Sequence, residues 1–317
     1  MLKKRWIISL VFTFFLMTLI SSAVYFIKEY NKPKIIVVTQ RLDFEYWELF
    51  ESGAKRAFRD LNIDGEVLAP ASLYPATNQP NLLKKVLKKN PDALIVAPTD
   101  PSIAIPVLME YKKQNIPVLL ATRDMEWKYK TAYIGTDDIR LGKMAGMLLG
   151  TMLQPGDQVA FILGRLEDPV MIDRKNGAKK VLEDIGIEII TEQVGYDHFG
   201  DPKPVMENIL QTYPNLKGVL AFSDRIAIEA LKTIDEKGMK IPVTGVDGIT
   251  EMVESIETEK VDVTIAQNPF DVGYLSVQQA QKAIKGENIE KRTDIGIDII
   301  TMDNAKKRLD FLQEVLN

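Results

Sequence analysis

From Lys34 onward, short apolar runs alternate with longer stretches in which apolar residues recur every three or four positions. Ile35-Ile36-Val37-Val38 is an unbroken β-branched run, the pattern of a strand covered on both faces. Trp47, Phe50, Ala54, Phe58 and Leu61 follow at helical spacing. A strand at 65–68 leads to a helix carrying Leu82, Leu83, Val86 and Leu87 over a lysine-rich face. Residues 93–97, stopped by Pro98, predict a third strand, 102–113 the next helix, and 117–121 and 132–135 two more strands.

The same alternation then restarts. A helix is expected at 139–153, ended by Pro155-Gly156, then a strand at 158–163. Helices at 170–185, 204–213 and 226–237 alternate with strands at 188–193, 218–222 and 241–246. A helix at 250–257, a strand at 261–266, a helix at 272–284, a last strand near 295–300 and a terminal helix at 305–316 complete the chain. Strands alternating with helices in two successive series predict an α/β fold of two doubly wound parallel-sheet lobes. With no long linker between the series, several short crossovers join them and a ligand cleft lies between the lobes.

The N-terminus follows a different pattern. Lys3-Lys4-Arg5 precede an uncharged run from Trp6 to Ile27, and about 20 apolar residues span a bilayer. Trp6 and Tyr25 sit near its ends, as interfacial anchors do. The expectation is a signal-anchor or transmembrane segment over residues 1–32, single-pass, with everything beyond Lys28 outside the cytoplasmic membrane. A cleaved secretory signal is the competing reading, with Ser21-Ser22-Ala23 as a small-x-small cleavage site.

Composition narrows the chemistry. The 317 residues carry 40 basic and 44 acidic side chains for a net charge of −4, which leaves no electrostatic footprint for nucleic acid. Without cysteine there is no thiolate nucleophile, disulfide framework or lipid-carrying N-terminal cysteine. One histidine, His198, excludes a multi-histidine metal site and makes a Ser-His-Asp triad a poor fit. No G-x-S-x-G elbow occurs, so a hydrolase on this scaffold lacks its nucleophile. Neither catalysis, nor a cofactor, nor a metal is expected.

Open α/β sheets bind ligands outside the carboxyl ends of their strands, and there this chain collects polar and aromatic side chains. Gln40, Asp43, Tyr46 and Trp47 follow the first strand, and Arg123 and Asp124 the strand at 117–121. Arg174 lies early in a helix, Asp197-His198 and Ser223 follow later strands, and Asp247 and Gln267 end the last two strands of the second series. Arginine forks and carboxylates hydrogen-bond vicinal hydroxyls while aromatic faces cover the apolar face of a sugar ring. Each residue also has a plainer reading: Tyr46 and Trp47 as core, Arg174 as an ion-paired helix residue, Ser223-Asp224 as a helix cap, Asp247-Gly248 as a turn. Only their shared position at strand ends sets them apart.

Four segments carry a resemblance. Asn90-Pro91-Asp92-Ala93-Leu94-Ile95-Val96-Ala97-Pro98-Thr99-Asp100, Ile134-Gly135-Thr136-Asp137-Asp138, Val246-Asp247-Gly248 and Thr264-Ile265-Ala266-Gln267-Asn268-Pro269 together resemble type I periplasmic sugar-binding proteins of the ribose-binding kind. Lactose-repressor-like regulators share that fold, but would need a helix-turn-helix where this chain has its apolar run. The resemblance implies a lobe of residues 33–135 plus 268–296 and another of 136–267 plus 297–317. Hinges would lie near Gly135-Thr136, Gln267-Asn268 and Ile295-Gly296.

The resemblance also implies that Tyr46 and Trp47 sandwich a sugar ring, while Arg123, Arg174, Ser223, Asp247 and Gln267 read its hydroxyls. The family's Asp-Arg pair reads Thr122-Arg123 here, and its Asn-Asp pair Ser223-Asp224, so ribose itself does not follow. The function implied is extracytoplasmic binding of a pentose or hexose, with closure signalling to a sensor histidine kinase or a sugar ABC transporter. Two alternatives stay open: a non-sugar ligand such as a furanosyl signalling molecule, and a cleaved, freely soluble transporter component.

Overall fold

The computed structural model of the protein describes residues 32–72, 75–166, 168–195 and 202–316. The expected membrane segment, apart from Lys32, and the candidates Asp197 and His198 lie outside these residues. Among the described residues no helix is long and apolar enough to cross a membrane.

The first lobe is built on β1 (Lys34–Val38), β2 (Asp64–Leu68), β3 (Ala93–Val96), β4 (Val118–Ala121) and β5 (Ala132–Gly135), joined by α1 (Glu45–Asp60), α2 (Asn78–Leu87) and α3 (Pro101–Lys113). The second holds α4 (Asp138–Gly150), β6 (Gln158–Leu163), α5 (Pro169–Asp184), β7 (Glu188–Val194), α6 (Lys203–Thr212), β8 (Leu216–Ala221), α7 (Asp224–Glu236), β9 (Val243–Asp247), α8 (Thr250–Glu257) and β10 (Thr264–Ala266). The chain then returns through α9 (Pro269–Ile284) and β11 (Arg292–Asp294) to the first lobe. It crosses once more into β12 (Asp298–Ile300) and α10 (Met302–Leu316).

Among the described residues the strands form two six-stranded sheets, ordered β11-β5-β4-β3-β1-β2 and β12-β10-β9-β8-β6-β7. Every pairing is parallel except β12 against β10. Parallel strands need crossover helices, and these cover both faces of each sheet. Hence β1, β3 and β4 of the first sheet, buried but for Lys34, read as apolar runs: β1 pairs Val37 with Val67 on one side and Ile95 on the other.

The strand expected near 295–300 is in fact two. Arg292–Asp294 extends the first sheet beside β5, while Asp298–Ile300 runs antiparallel to β10 in the second. The residues between carry the chain from lobe to lobe, and Gly296 at φ +78° supplies the turn. Two three-residue edge strands with mostly exposed side chains have no apolar alternation to betray the break.

Glycines set how closely certain helices approach. A Cβ on Gly53 of α1 would lie 1.9 Å from the Phe270 carbonyl oxygen, and one on Gly273 of α9 2.1 Å from that of Phe50. The second lobe repeats the device, with Gly142 of α4 against the Arg174 carbonyl at 1.9 Å and Gly177 of α5 against that of Ile139 at 2.3 Å. Both pairs matter to the cleft: α1 opens with Tyr46 and Trp47, and α5 carries Arg174.

Candidate functional site

A cavity of about 330 Å³ lies between the lobes, outside the carboxyl ends of the strands. Small-molecule sites run from about 300 to 1,000 Å³, so its size suits a single sugar ring. The first lobe contributes Gln40, Tyr46, Trp47 and Arg123, and the second Arg174, Ser223 and Asp247. Gln267 joins them from the crossover that follows β10. A larger hollow of about 590 Å³ lies between α1, α9 and α10. Its Lys55 and Arg56 are paired within α1 to Glu51 and Asp60, and it lies away from the strand ends.

Two candidates do not reach the cavity. Asp43 turns back to Arg41 in a two-bond ion pair and leaves most of its side chain in solvent. Asp124 is held by Lys130 and Arg292. In both cases an arginine or lysine nearby in space claims the carboxylate, which sequence position alone does not reveal.

The aromatic pair departs from the expected sandwich. Tyr46 and Trp47 meet edge to face, their ring centres 5.1 Å apart at 80°. Successive helical residues diverge by about 100°, so Trp47 turns into the core beside Phe50 while Tyr46 stays half-buried. They form one wall. Phe44, the residue before α1, adds a second aromatic surface, with the Arg41 guanidinium 3.4 Å and that of Arg225 4.5 Å from its ring centre.

Arg123 is delivered by a strained turn. Its amide donates to the Ala121 carbonyl at 2.6 Å across Thr122, whose φ is +61°. An i→i−2 bond around a β-branched residue with positive φ is a costly γ-turn. Its guanidinium donates to the carbonyls of Pro98 and Thr99 at 3.2 and 2.8 Å and forms an ion pair with Asp168 of the second lobe. Burial pulls the Arg123 guanidinium below its ordinary range, against the pull of Asp168. Gln40 donates to the Pro98 carbonyl at 3.0 Å. Beneath it, buried Gln79 bonds Thr39, Ala97 and Thr99 and so fixes the ends of β1 and β3.

Across the cleft, Arg174 donates to Asp138 at 2.8 Å. Burial alone would lower its pKa, but Asp138 and Asp247 together keep it raised. Burial costs Asp138 more than Arg174 returns, so that carboxyl also sits above its usual range. Asp247 ends β9 at φ +134°. It accepts from the Gln267 side-chain Nε2 at 2.7 Å, and Gln267 Oε1 accepts from the Thr136 hydroxyl at 3.4 Å, on another crossover. Burial raises the Asp247 pKa to about 6 while Arg174 opposes it.

Ser223 both lines the cavity and caps α7, accepting from the Ile226 amide at 3.4 Å. Asp224, fully buried, accepts from the amides of Gly248 and Ile249 and the hydroxyl of Thr264. It anchors the turn that aims Asp247, and burial raises its pKa strongly. A second inter-lobe contact comes from Glu45, whose carboxylate accepts from the Thr250 amide and hydroxyl at 2.8 and 2.9 Å, at the N-terminus of α8. The residues missed from the sequence are thus Phe44, Arg41, Arg225, Asp138 and Asp168. Phe44, next to the aromatic pair, and Arg41, just past the first strand, had a local signal.

The arrangement offers hydrogen bonds, aromatic surface and inter-lobe contacts, and residues 35–288 match the family model described as a periplasmic binding protein domain. The ribose import binding protein RbsB of Bacillus subtilis (strain 168) is 27% identical over 216 residues, 68% of this chain and 70% of that protein. The galactofuranose-binding protein YtfQ of Escherichia coli (strain K12) is 28% identical over 247 residues, 74% of this chain and 77% of its own length. Among solved structures, an ABC transporter periplasmic solute binding protein from Actinobacillus succinogenes 130z with bound D-allose superposes with a TM-score of 0.80 at 25% identity. It covers 87% of this chain and 100% of that one.

Proposed function

The chain belongs to the periplasmic binding protein domain family, and from that premise we propose that it binds a monosaccharide, a pentose or a hexose, in the inter-lobe cleft without transforming it. The observation that carries the reading is the cavity itself. Tyr46, Trp47 and Arg123 face Arg174, Ser223 and Asp247 across a space sized for one sugar ring. Relatives named for ribose and galactofuranose, and a similar structure holding D-allose, support a sugar as the ligand. A ligand touching both lobes favours the closed arrangement by its differential affinity for it. The crossovers at Gly135-Thr136, Gln267-Asn268 and Ile295-Gly296 absorb the rotation.

A thermal-shift screen against D-ribose, D-allose, D-galactose, other monosaccharides and a galactofuranoside tests this. A ligand at a hundred times its dissociation constant adds about 2.7 kcal/mol of apparent stability. One sugar giving a clear shift is the expected result. A response only to a furanosyl signalling compound moves the ligand to that class, and silence across the panel sinks the sugar reading.

In this proposal the apolar run Trp6 to Ile27 holds the protein at the membrane with its binding domain outside, the basic Lys3-Lys4-Arg5 staying inside. Its partner there is a sensor histidine kinase or a sugar ABC permease. Alkaline carbonate washing should leave the full chain with the membranes; release into the wash would mean a cleaved, soluble form. Sugar-dependent crosslinking in the same membranes identifies which partner reads closure.

A further inference from the structure

Asp168 came from no strand end, yet it reaches the centre of the cleft. It is the N-cap of α5, and its Oδ1 accepts from the Val170 amide at 3.1 Å. Its Oδ2 takes the Arg123 guanidinium from the opposite lobe. Both side chains line the cavity, and each is about nine-tenths buried. The cleft therefore supplies an internal counter-ion to Arg123.

The other central arginine is in the same condition, since Arg174 is paired with Asp138 at 2.8 Å. Asp247 adds a further carboxylate on the cavity wall. A ligand carboxylate or phosphate approaching Arg123 would have to lie against Asp168 in a poorly hydrated site, where like charges repel strongly. A hydroxyl meets no such obstacle. It donates to the Asp168 carboxylate and accepts from the guanidinium, using both of its hydrogen-bonding capacities at once.

We propose that Asp168 sets the charge specificity of the cleft, admitting neutral sugars and excluding sugar acids by occupying Arg123 from across the gap. This rests on the sugar-binding reading above. Removing the charge while keeping the shape turns Arg123, with Arg165 close enough to depress it further, into a receptor for an anion. Arg41 and Arg225, over the Phe44 ring, lie against the same cavity. An acid drawn in by them would be bound by the unaltered protein.

Asp168→Asn is the informative variant, because asparagine is as good an N-cap as aspartate and keeps the α5 start intact. The full chain and the variant are titrated calorimetrically with D-ribose, D-allose and D-galactose, and with D-ribonate, D-gluconate and D-galacturonate. The unaltered protein should take a neutral sugar and none of the acids. The variant should gain about tenfold or more for an acid, the gain shrinking as salt is raised.

Acid binding by the unaltered protein, or an unchanged acid affinity in Asp168→Asn, overturns the proposal. So does a loss of neutral-sugar affinity in the variant with no gain for any acid, which marks a purely structural contact. Silence of the unaltered protein toward every neutral sugar fells the sugar-binding reading itself. Neutral binding without any acid gain fells only the role of Asp168.

Discussion

Asp247→Asn should lower sugar affinity by about a hundredfold while making the protein more heat-stable near neutral pH. A hydrogen bond to a charged acceptor contributes about 1.5–3 kcal/mol, and each 1.4 kcal/mol is a factor of about ten. Asparagine keeps one carbonyl oxygen for the Gln267 amide, now 2.7 Å from Asp247 Oδ1, so the local packing survives. What disappears is the charge. In the folded protein burial raises the Asp247 pKa to about 6, above the ordinary aspartate value of about 3.9.

Between those values the folded state holds the proton more tightly than the unfolded chain. Stability is therefore greatest below the unfolded value and is lost as pH rises to about 6. Near neutrality the native protein bears the whole cost of this buried charge, and the asparagine variant does not. Each kcal/mol recovered is worth about 2–4 °C in a domain of this size. Calorimetric melting at neutral pH and below pH ~4 checks it, with the gain present in the first and absent in the second. A lower melting temperature at neutral pH would show that the carboxylate is structural. Sugar binding by the unaltered protein should also weaken as pH falls through about 6, since the charged acceptor is then lost.

The second large effect is expected from a single methyl group. Gly142→Ala places a Cβ 1.9 Å from the Arg174 carbonyl oxygen, 2.6 Å from its carbonyl carbon and 2.7 Å from its Cα. These are backbone atoms in the middle of α5, so no side chain can swing aside and the two helices must part. Overpacking of this kind costs about 1–3 kcal/mol and more where the backbone cannot give. We expect a loss of about 3 kcal/mol or more, read from the urea midpoint at constant m-value.

Gly142→Ala should also weaken sugar binding, because the displaced residue is Arg174 itself. Gly150→Ala, eight positions along α4 and facing only side-chain methyls, of Ile185 at 2.6 Å and Leu182 at 3.7 Å, serves as the control. It should be close to neutral, with alanine's helix propensity offsetting the small crowding. Equal losses at both positions would refute the backbone-contact argument.

Strands β1, β3, β4 and β6 were readable because burial on both faces demands continuous apolar runs, and only a parallel sheet under helices makes that demand. That Arg123, Ser223, Asp247 and Gln267 line the cavity was readable for a related reason: they lie at or just past the ends of buried strands, where a doubly wound sheet opens. Asp168 was not. In the sequence it precedes Pro169 and reads as a helix cap, which it also is; its partner Arg123 lies 45 residues away on the other lobe.

Glu45 with Thr250, 205 residues apart, is the same kind of contact. Pairings across a hinge leave no periodicity in either segment. The edge-to-face meeting of Tyr46 and Trp47 was hidden differently: residue type announces an aromatic wall, but helical geometry decides which ring faces in.

The return of the chain to the first lobe bears on how the protein comes to be folded. The first sheet lacks its β11 edge, and the glycine face of α1 its covering α9, until nearly the whole second lobe has been made. During synthesis from the N-terminus, early residues cannot settle into their final packing on their own. Completion waits for long-range contacts, which are slow to form because so much chain must first be closed into a loop. Each lobe is assembled from stretches that lie apart in the sequence. A polypeptide built this way keeps its early segments uncommitted for longest.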